Sequence, residues 1–295
     1  MPPTDAVGGG GRGRGPRSDS AVTVVGIDCA AAAERTGFAV AQLAGELLTV
    51  EECWVGSKGD TAEAQASRLV TALREARSAL LALDSPLGWP AALGPHLAVH
   101  HAGRPIQAEA DTLFRRLTDK VVRERIGKNP LEVAADRIAR AARSALLLIG
   151  ALEEQLQANI ELAWSPAKWK GVKAIEAYPA GTLRSYLVAQ GQDRAESSGA
   201  GDRQRGRATP FVDKEGLLRM LAGRGALRLN VRGALADHRL DAVMCAVAAR
   251  DFLLGDSIPP SEAQVEAARK EGWIWVRDPG RGLAGAGIGT AGARP

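Results

Sequence analysis

Four acidic positions sit inside apolar runs: Asp28 in Ile-Asp-Cys-Ala, Asp84 in Ala-Leu-Asp-Ser-Pro, Glu176 in Ala-Ile-Glu-Ala-Tyr-Pro, and Asp241 in Leu-Asp-Ala-Val-Met. Asp237 precedes Asp241 by four residues, which places both on one face of a helix. A carboxylate flanked by apolar residues is expected to be partly buried. It then needs a cation, a hydrogen-bond network or a proton. Several converging carboxylates cannot all stay ionised without a positive partner. Oxygen-only ligands favour magnesium or manganese over zinc. Each acid also has a plainer reading. Asp28 could cap a turn, Asp84 before Ser-Pro could form an Asx-turn, Glu176 could pair with an arginine, and Asp237 could cap its helix. Asp241, inside an apolar helix, is the hardest to explain that way.

The elements that would carry these acids follow from periodicity. Val22–Asp28 is a β-branched run ending in a carboxylate, and Gly37–Leu43 and Leu47–Trp54 continue it as an antiparallel meander. Asp60 is placed to cap the next helix, with Glu63 three residues on. Ala66, Leu69, Val70, Leu73, Ala76 and Leu80 recur at helical spacing, and Leu80–Leu83 reads as a short buried strand. From Pro130 a long helix is predicted, with Leu131, Ala134, Ala135, Ile138, Ala142, Ala145, Leu146, Ile149 and Leu152 on one face. Val172–Tyr178 is a strand, and Lys214–Leu221 and Leu235–Leu254 are helices, the last stopped by Gly255. Gly272–Val276 is a further strand candidate. Three strands followed by alternating helices and strands suggest a mixed sheet with helices on its faces.

The chain has 295 residues, with 38 Lys and Arg against 34 Asp and Glu. The excess of basic charge lies partly at the ends. Residues 1–20 hold three arginines and two aspartates, and residues 279–295 hold two arginines, which leaves 21–278 with a net charge of only +1. That segment has no strong overall basic footprint of the kind a duplex binder usually carries. The glycine-rich ends, 1–20 and 279–295, read as disordered tails. One domain is expected over 21–278, with insertions near 85–130 and 190–210. No apolar run is long enough to cross a membrane, and no secretory signal is present, so a cytoplasmic location is the expectation. Three widely spaced cysteines exclude a disulfide framework.

Six segments occur in a recognisable order: Val25-Gly-Ile-Asp28, Leu83-Asp84-Ser-Pro-Leu-Gly88, Arg116-Leu-Thr-Asp119, Ile175-Glu176-Ala-Tyr-Pro179, Asp237-His-Arg-Leu-Asp241-Ala and Glu271-Gly-Trp-Ile-Trp-Val276. Together they resemble a prokaryotic domain family of unknown function, predicted to be nucleases of the ribonuclease H-like fold. The resemblance spans about residues 22–277. His238-x-x-Asp241-Ala also resembles the last helix of Holliday-junction resolvases, where an acid usually occupies the place of His238; Asp237 stands one position earlier. The resemblance implies an α/β, ribonuclease H-like mixed five-stranded sheet with helices on both faces and an additional C-terminal strand. It implies magnesium or manganese held by Asp28, Asp84, Asp237 and Asp241, with Glu176 a further acid nearby. Two such ions would clamp a scissile phosphate. Catalysis would rest on Asp28, Asp84, Glu176 and Asp241. Arg116 would hold a phosphate oxygen through its planar fork, and Asp119 would orient Arg116 or water.

Trp164-Ser-Pro-Ala-Lys168-Trp169-Lys170 mixes aromatic and basic residues as single-strand nucleic-acid sites do. Lys168 and Lys170 are therefore candidate substrate contacts, although an amphipathic loop entering a strand, its tryptophans covering the core, is the plainer and favoured account of the stretch. His96, His100 and His101 cluster without nearby cysteines or acids and read as surface histidines. No P-loop is present, and Ser85 lacks a nucleophile-elbow sequence. The leading expectation is metal-dependent phosphodiester hydrolysis of nucleic acid. The rivals are an ATP-binding phosphotransferase or ATPase of the sugar-kinase and actin-like fold, and a non-catalytic nucleic-acid-binding module. Against the ATPase stands Cys29-Ala30-Ala31, which offers no glycine after the first-strand acid.

Overall fold

The computed structural model describes residues 21–134, 136–191 and 213–281. The expected tails, apart from residues 279–281, and nearly all of the loop near 190–210 lie outside the described residues. In chain order the elements are β1 (Val22–Asp28), β2 (Gly37–Ala44), β3 (Leu47–Val55), α1 (Ala62–Arg74), β4 (Ser78–Leu83), α2 (Leu93–Ala98), α3 (Ala110–Phe114), α4 (Leu117–Ile126), α5 (Asp136–Leu156), β5 (Glu161–Leu162), β6 (Gly171–Glu176), α6 (Pro179–Ala189), α7 (Lys214–Gly223), β7 (Leu227–Leu229), α8 (Asp237–Leu253) and α9 (Val265–Glu271).

The sheet runs β5-β6-β4-β1-β2-β3-β7. Its centre is the expected mixed five-stranded ribonuclease H-like core, β3-β2-β1-β4-β6. β2 is antiparallel to both neighbours, and β1, β4 and β6 are parallel. Two short strands extend it at the edges. β5 pairs with β6 and β7 with β3. Neither was legible in sequence, because two- and three-residue strands show no period.

Strand alternation sends successive residues to opposite faces. Val24, Leu80, Ala82 and Ile175 face a core built with α8, α6 and α7. Val25, Ile27, Leu81 and Leu83 face a second core built with α1 and α5. Helices therefore cover both faces. α8 is apolar nearly all round, with Ala242 to Phe252 buried, because it lies across β1, β2 and β3 with other helices flanking it. β1 carries Gly26 beneath it. A Cβ there would stand 2.0 Å from the Ala242 carbonyl oxygen, so only glycine lets helix and strand approach this closely.

Several boundary expectations are corrected. Thr61, not Asp60, caps α1: its hydroxyl accepts from the Ala64 amide at 3.3 Å, whereas Asp60 accepts from Ser57 at 2.8 Å. The helix expected from Pro130 starts at Asp136. Leu131 is 68% exposed and Leu146 38% exposed, so neither joins the buried face of Ala142, Ala145 and Leu152; Ala135 lies outside the described residues. Gly272–Val276 is not a strand of the sheet. It is an extended segment touching it through a bridge from Ile274 to Glu176. Trp273 and Trp275 are buried there, Trp275 edge-on to Phe252 of α8 at 4.6 Å. Among the described residues no helix is long and apolar enough to cross a membrane.

Candidate active site

Register decides which acids meet. Ile27 of β1 pairs with Leu83 of β4, so Asp28 and Asp84 are the next residues on two neighbouring parallel strands. The ladder extends one step further, with the Asp84 amide donating to the Ile27 carbonyl at 2.8 Å. By alternation both side chains fall on the α8 face. Asp241 reaches the same strand ends from α8, one turn into the helix. Gly37, opposite Asp28 on β2, would place a Cβ 2.0 Å from the His238 carbonyl oxygen, so the first turn of α8 rests directly on this corner.

Asp28 and Asp84 both feel the charge of Asp241. Burial pushes the Asp28 carboxyl up to about 6, against the hydrogen bond from His238, and the Asp241 charge adds to the rise. Asp84 is held well above the usual carboxylate range, first by burial and then by the charges of Asp28 and Asp241. Lys214, at the start of α7, opposes both shifts and pairs with Asp241. His238 Nδ1 lies 2.6 Å from Asp28 Oδ2. Lys214 and His238 were both missed as members of the site. Lys214 follows a long polar stretch that gave no periodic signal. His238 was seen as a departure from an acid rather than as a partner for one.

The Lys214 ammonium and the His238 ring thus stand where metal charge would be needed. Among the described residues no three His, Cys, Asp or Glu side chains are drawn close enough to form a ready ion cage. Asp28 is turned to His238 and Asp241 to Lys214, while Asp84 has no ion-pair partner among the described residues. The donor set, three carboxylates with no soft ligand, fits a hard divalent cation. Asp241 would have to leave Lys214 to take part in holding such an ion.

The other expected site residues do not join the aspartates, although Glu176 and Arg116 line a cavity that also borders Asp84. Glu176 pairs in register with Leu83, which faces α1 and α5, so its side chain leaves the aspartate face. It is 2% exposed and accepts from Arg116 Nη1 at 2.9 Å on both oxygens and from the Leu87 amide at 3.0 Å. Arg116 is 1% exposed, and its other arm meets Asp119 at 3.1 Å. The Glu176 carboxyl is pushed up by burial and pulled back by the Arg116 charge. The phosphate contact expected of Arg116 is corrected on this ground, since its fork is filled by two buried carboxylates. Glu176 is likewise corrected from catalytic acid to ion-pair partner. Asp119 holds Arg116 and also accepts from its backbone amide at 2.9 Å.

Asp237 is exposed at the first position of α8, with φ of 44°. The α8 residue that reaches Asp28 is His238, so the fourth-ligand expectation at Asp237 is corrected. Lys168 and Lys170 are exposed just before β6 begins at Gly171, whereas Glu176 ends that strand. They flank the end of the sheet opposite to the aspartates and are corrected as contacts to that site. Trp164 and Trp169 pack against the α8-side core.

Among solved structures, T. thermophilus RuvC in complex with Holliday junction substrate is similar at 12% identity, covering 81% of this chain and 99% of that chain, with a TM-score of 0.33. No curated protein matches the chain. A family model described as "Protein of unknown function (DUF429)" matches residues 26–264, a span that holds Asp28, Asp84, Lys214 and Asp241. The chain, with its acidic corner inside the matched span, belongs to the DUF429 family.

Proposed function

We propose that the chain is a metal-dependent nuclease acting on phosphodiester bonds of nucleic acid, with Asp28, Asp84 and Asp241 as the residues that hold magnesium or manganese. The observation that carries this reading is the meeting of three aspartates, from β1, β4 and α8, at one corner of a ribonuclease H-like sheet. Two of them are held well above ordinary carboxylate behaviour. Such carboxylates are costly to ionise together, and a divalent cation removes that cost. Lewis acidity toward a phosphate and activation of water are the chemistry such an ion supplies when bound.

The chain's own groups have separate tasks. His238 fixes the Asp28 carboxylate by its 2.6 Å contact, which leaves the second Asp28 oxygen for the site. Lys214, once released from Asp241, provides an ammonium for a phosphate oxygen at the same corner. Gly26 and Gly37 let α8 sit low enough for Asp241 and His238 to reach.

Calorimetric titration of manganese should show binding to the wild type and a loss of about tenfold or more with Asp28→Asn or Asp84→Asn. Labelled single strands, duplexes, hybrids and four-way junctions should then be cut by wild type with manganese and not by the variants. Manganese binding that is unchanged in both variants, or no cleavage of any substrate, overturns the reading. ATP hydrolysis without cleavage would favour the kinase-like rival.

A further inference from the structure

Beside Asp84, at the same strand ends, a cavity of about 180 Å3 opens between the β4 end and α5. Its walls are mainly apolar and include Pro86, Pro130, Ile138, Ala141 and the Tyr178 ring. Cavities of about 150 Å3 accept a single benzene-sized ring, so there is room here for a planar heterocycle. One polar group on its lining is unusual. Ser85 is 5% exposed, and its hydroxyl has no hydrogen-bond partner among the described residues. A buried hydroxyl without a partner is costly, and each such group in a native fold calls for an explanation. The Arg116–Glu176 pair at the cavity's base does not supply one, because those groups are engaged with each other and with Asp119. Tyr178 donates to the Asn129 carbonyl at 3.2 Å, which fixes its ring against the cavity.

We infer that this cavity receives one nucleobase of the substrate, the base flanking the phosphate held at the aspartates, with the Ser85 hydroxyl bonding its polar edge and the Tyr178 ring packing against it. The inference rests on the nuclease reading for the placing of that phosphate. The cavity's ability to bind a base can be tested without it. Ser85 follows Asp84 directly, so a strand whose phosphate lies on Asp84 has its neighbouring base within reach of Ser85. Pockets that take in a single unstacked base read it by hydrogen bonds to its edge and by stacking on aromatic or apolar side chains, and base–aromatic packing is tolerant of sequence. Ser85, able to donate or accept, adds a preference for bases with a polar edge at that point. It is a binding residue and takes no part in the chemical step.

The test uses the full chain and 2-aminopurine deoxyriboside 5′-monophosphate, read by its fluorescence, with deoxyribose 5-phosphate as the baseless comparison and manganese calorimetry run in parallel. Saturable quenching by wild type is expected. The loss should be about tenfold or more with Ile138→Trp, which fills the cavity, and smaller, a few-fold, with Ser85→Ala. Both variants should melt as cooperatively as wild type and still bind manganese, since neither removes a carboxylate of the aspartate corner. If the nucleotide binds no better than the baseless sugar phosphate, or if Ile138→Trp leaves nucleotide binding intact, the inference is overturned. If manganese does not bind while base-dependent quenching remains sensitive to Ile138→Trp, the cavity stands and the nuclease reading falls.

Discussion

Asp28 carries a cost that its position makes unavoidable. Its folded-state carboxyl sits at about 6 against an ordinary value of 3.8, so between those values the folded chain binds more protons than the unfolded one. Stability should therefore fall as pH rises from about 4 to about 6, with the penalty fully present above that window. Asp84, raised in the same direction, adds to it. Asp28→Asn keeps an oxygen for His238 and removes the charge. Without metal it should stabilise the chain at pH 7.5 by about 1–3 kcal/mol, and the gain should vanish at pH 4. Thermal melts at the two pH values check this, and a variant less stable than wild type at pH 7.5 would contradict it. Excess manganese should reverse the order, because ion binding stabilises only the chain that retains the site.

At the scale of elements, two contacts hold the corner together. The first is the close approach of β1 and α8 at Gly26. Gly26→Ala places a methyl group against the Ala242 carbonyl and the Ala246 amide, which must push the helix outward. The expected loss is about 1–3 kcal/mol, with weaker manganese binding because Asp241 and His238 move with α8. Melting and calorimetry on the one variant read both effects. A destabilised variant with undiminished metal affinity would show that the helix does not set the site. The second is the Arg116 link from the start of α4 to Glu176 at the end of β6. Arg116→Ala leaves two buried carboxylates unpaired, which costs about 3–5 kcal/mol. A loss under 1 kcal/mol in denaturant melts would show that solvent reaches the pair.

Across the whole molecule the charge balance sets what the proposed nucleic-acid binding can draw on. Residues 21–278 carry a net charge of only +1, so binding should draw on a few local cations such as Lys214 rather than on a broad field. For a single-stranded ligand, three or so neutralised phosphates give a log K against log salt slope of about −2. Filter binding across a salt series measures it. A slope steeper than about −5 would mean that many more cations take part, including the arginines of residues 1–20.

Strand and helix periods, the β1 carboxylate and the α8 acid were all legible in the sequence, because burial imposes apolar spacing locally. Val22–Asp28 announces a strand and Leu235–Leu254 a helix whatever they pack against. The sequence alone determined the mixed α/β order and the presence of acids at strand ends. Which acids share a corner was decided only by tertiary structure. Asp28 and Asp84 meet because Ile27 pairs with Leu83, and Glu176 departs because it occupies Leu83's own level, one step out of phase. A shift of one residue in register exchanges the faces of a sheet, and nothing local records that register. The same holds for Lys214 and His238, whose partners lie 27 and 210 residues away. Pairing of charges over such separations is set by how helices seat on the sheet, and glycines at the contacts are the trace that seating leaves in the chain.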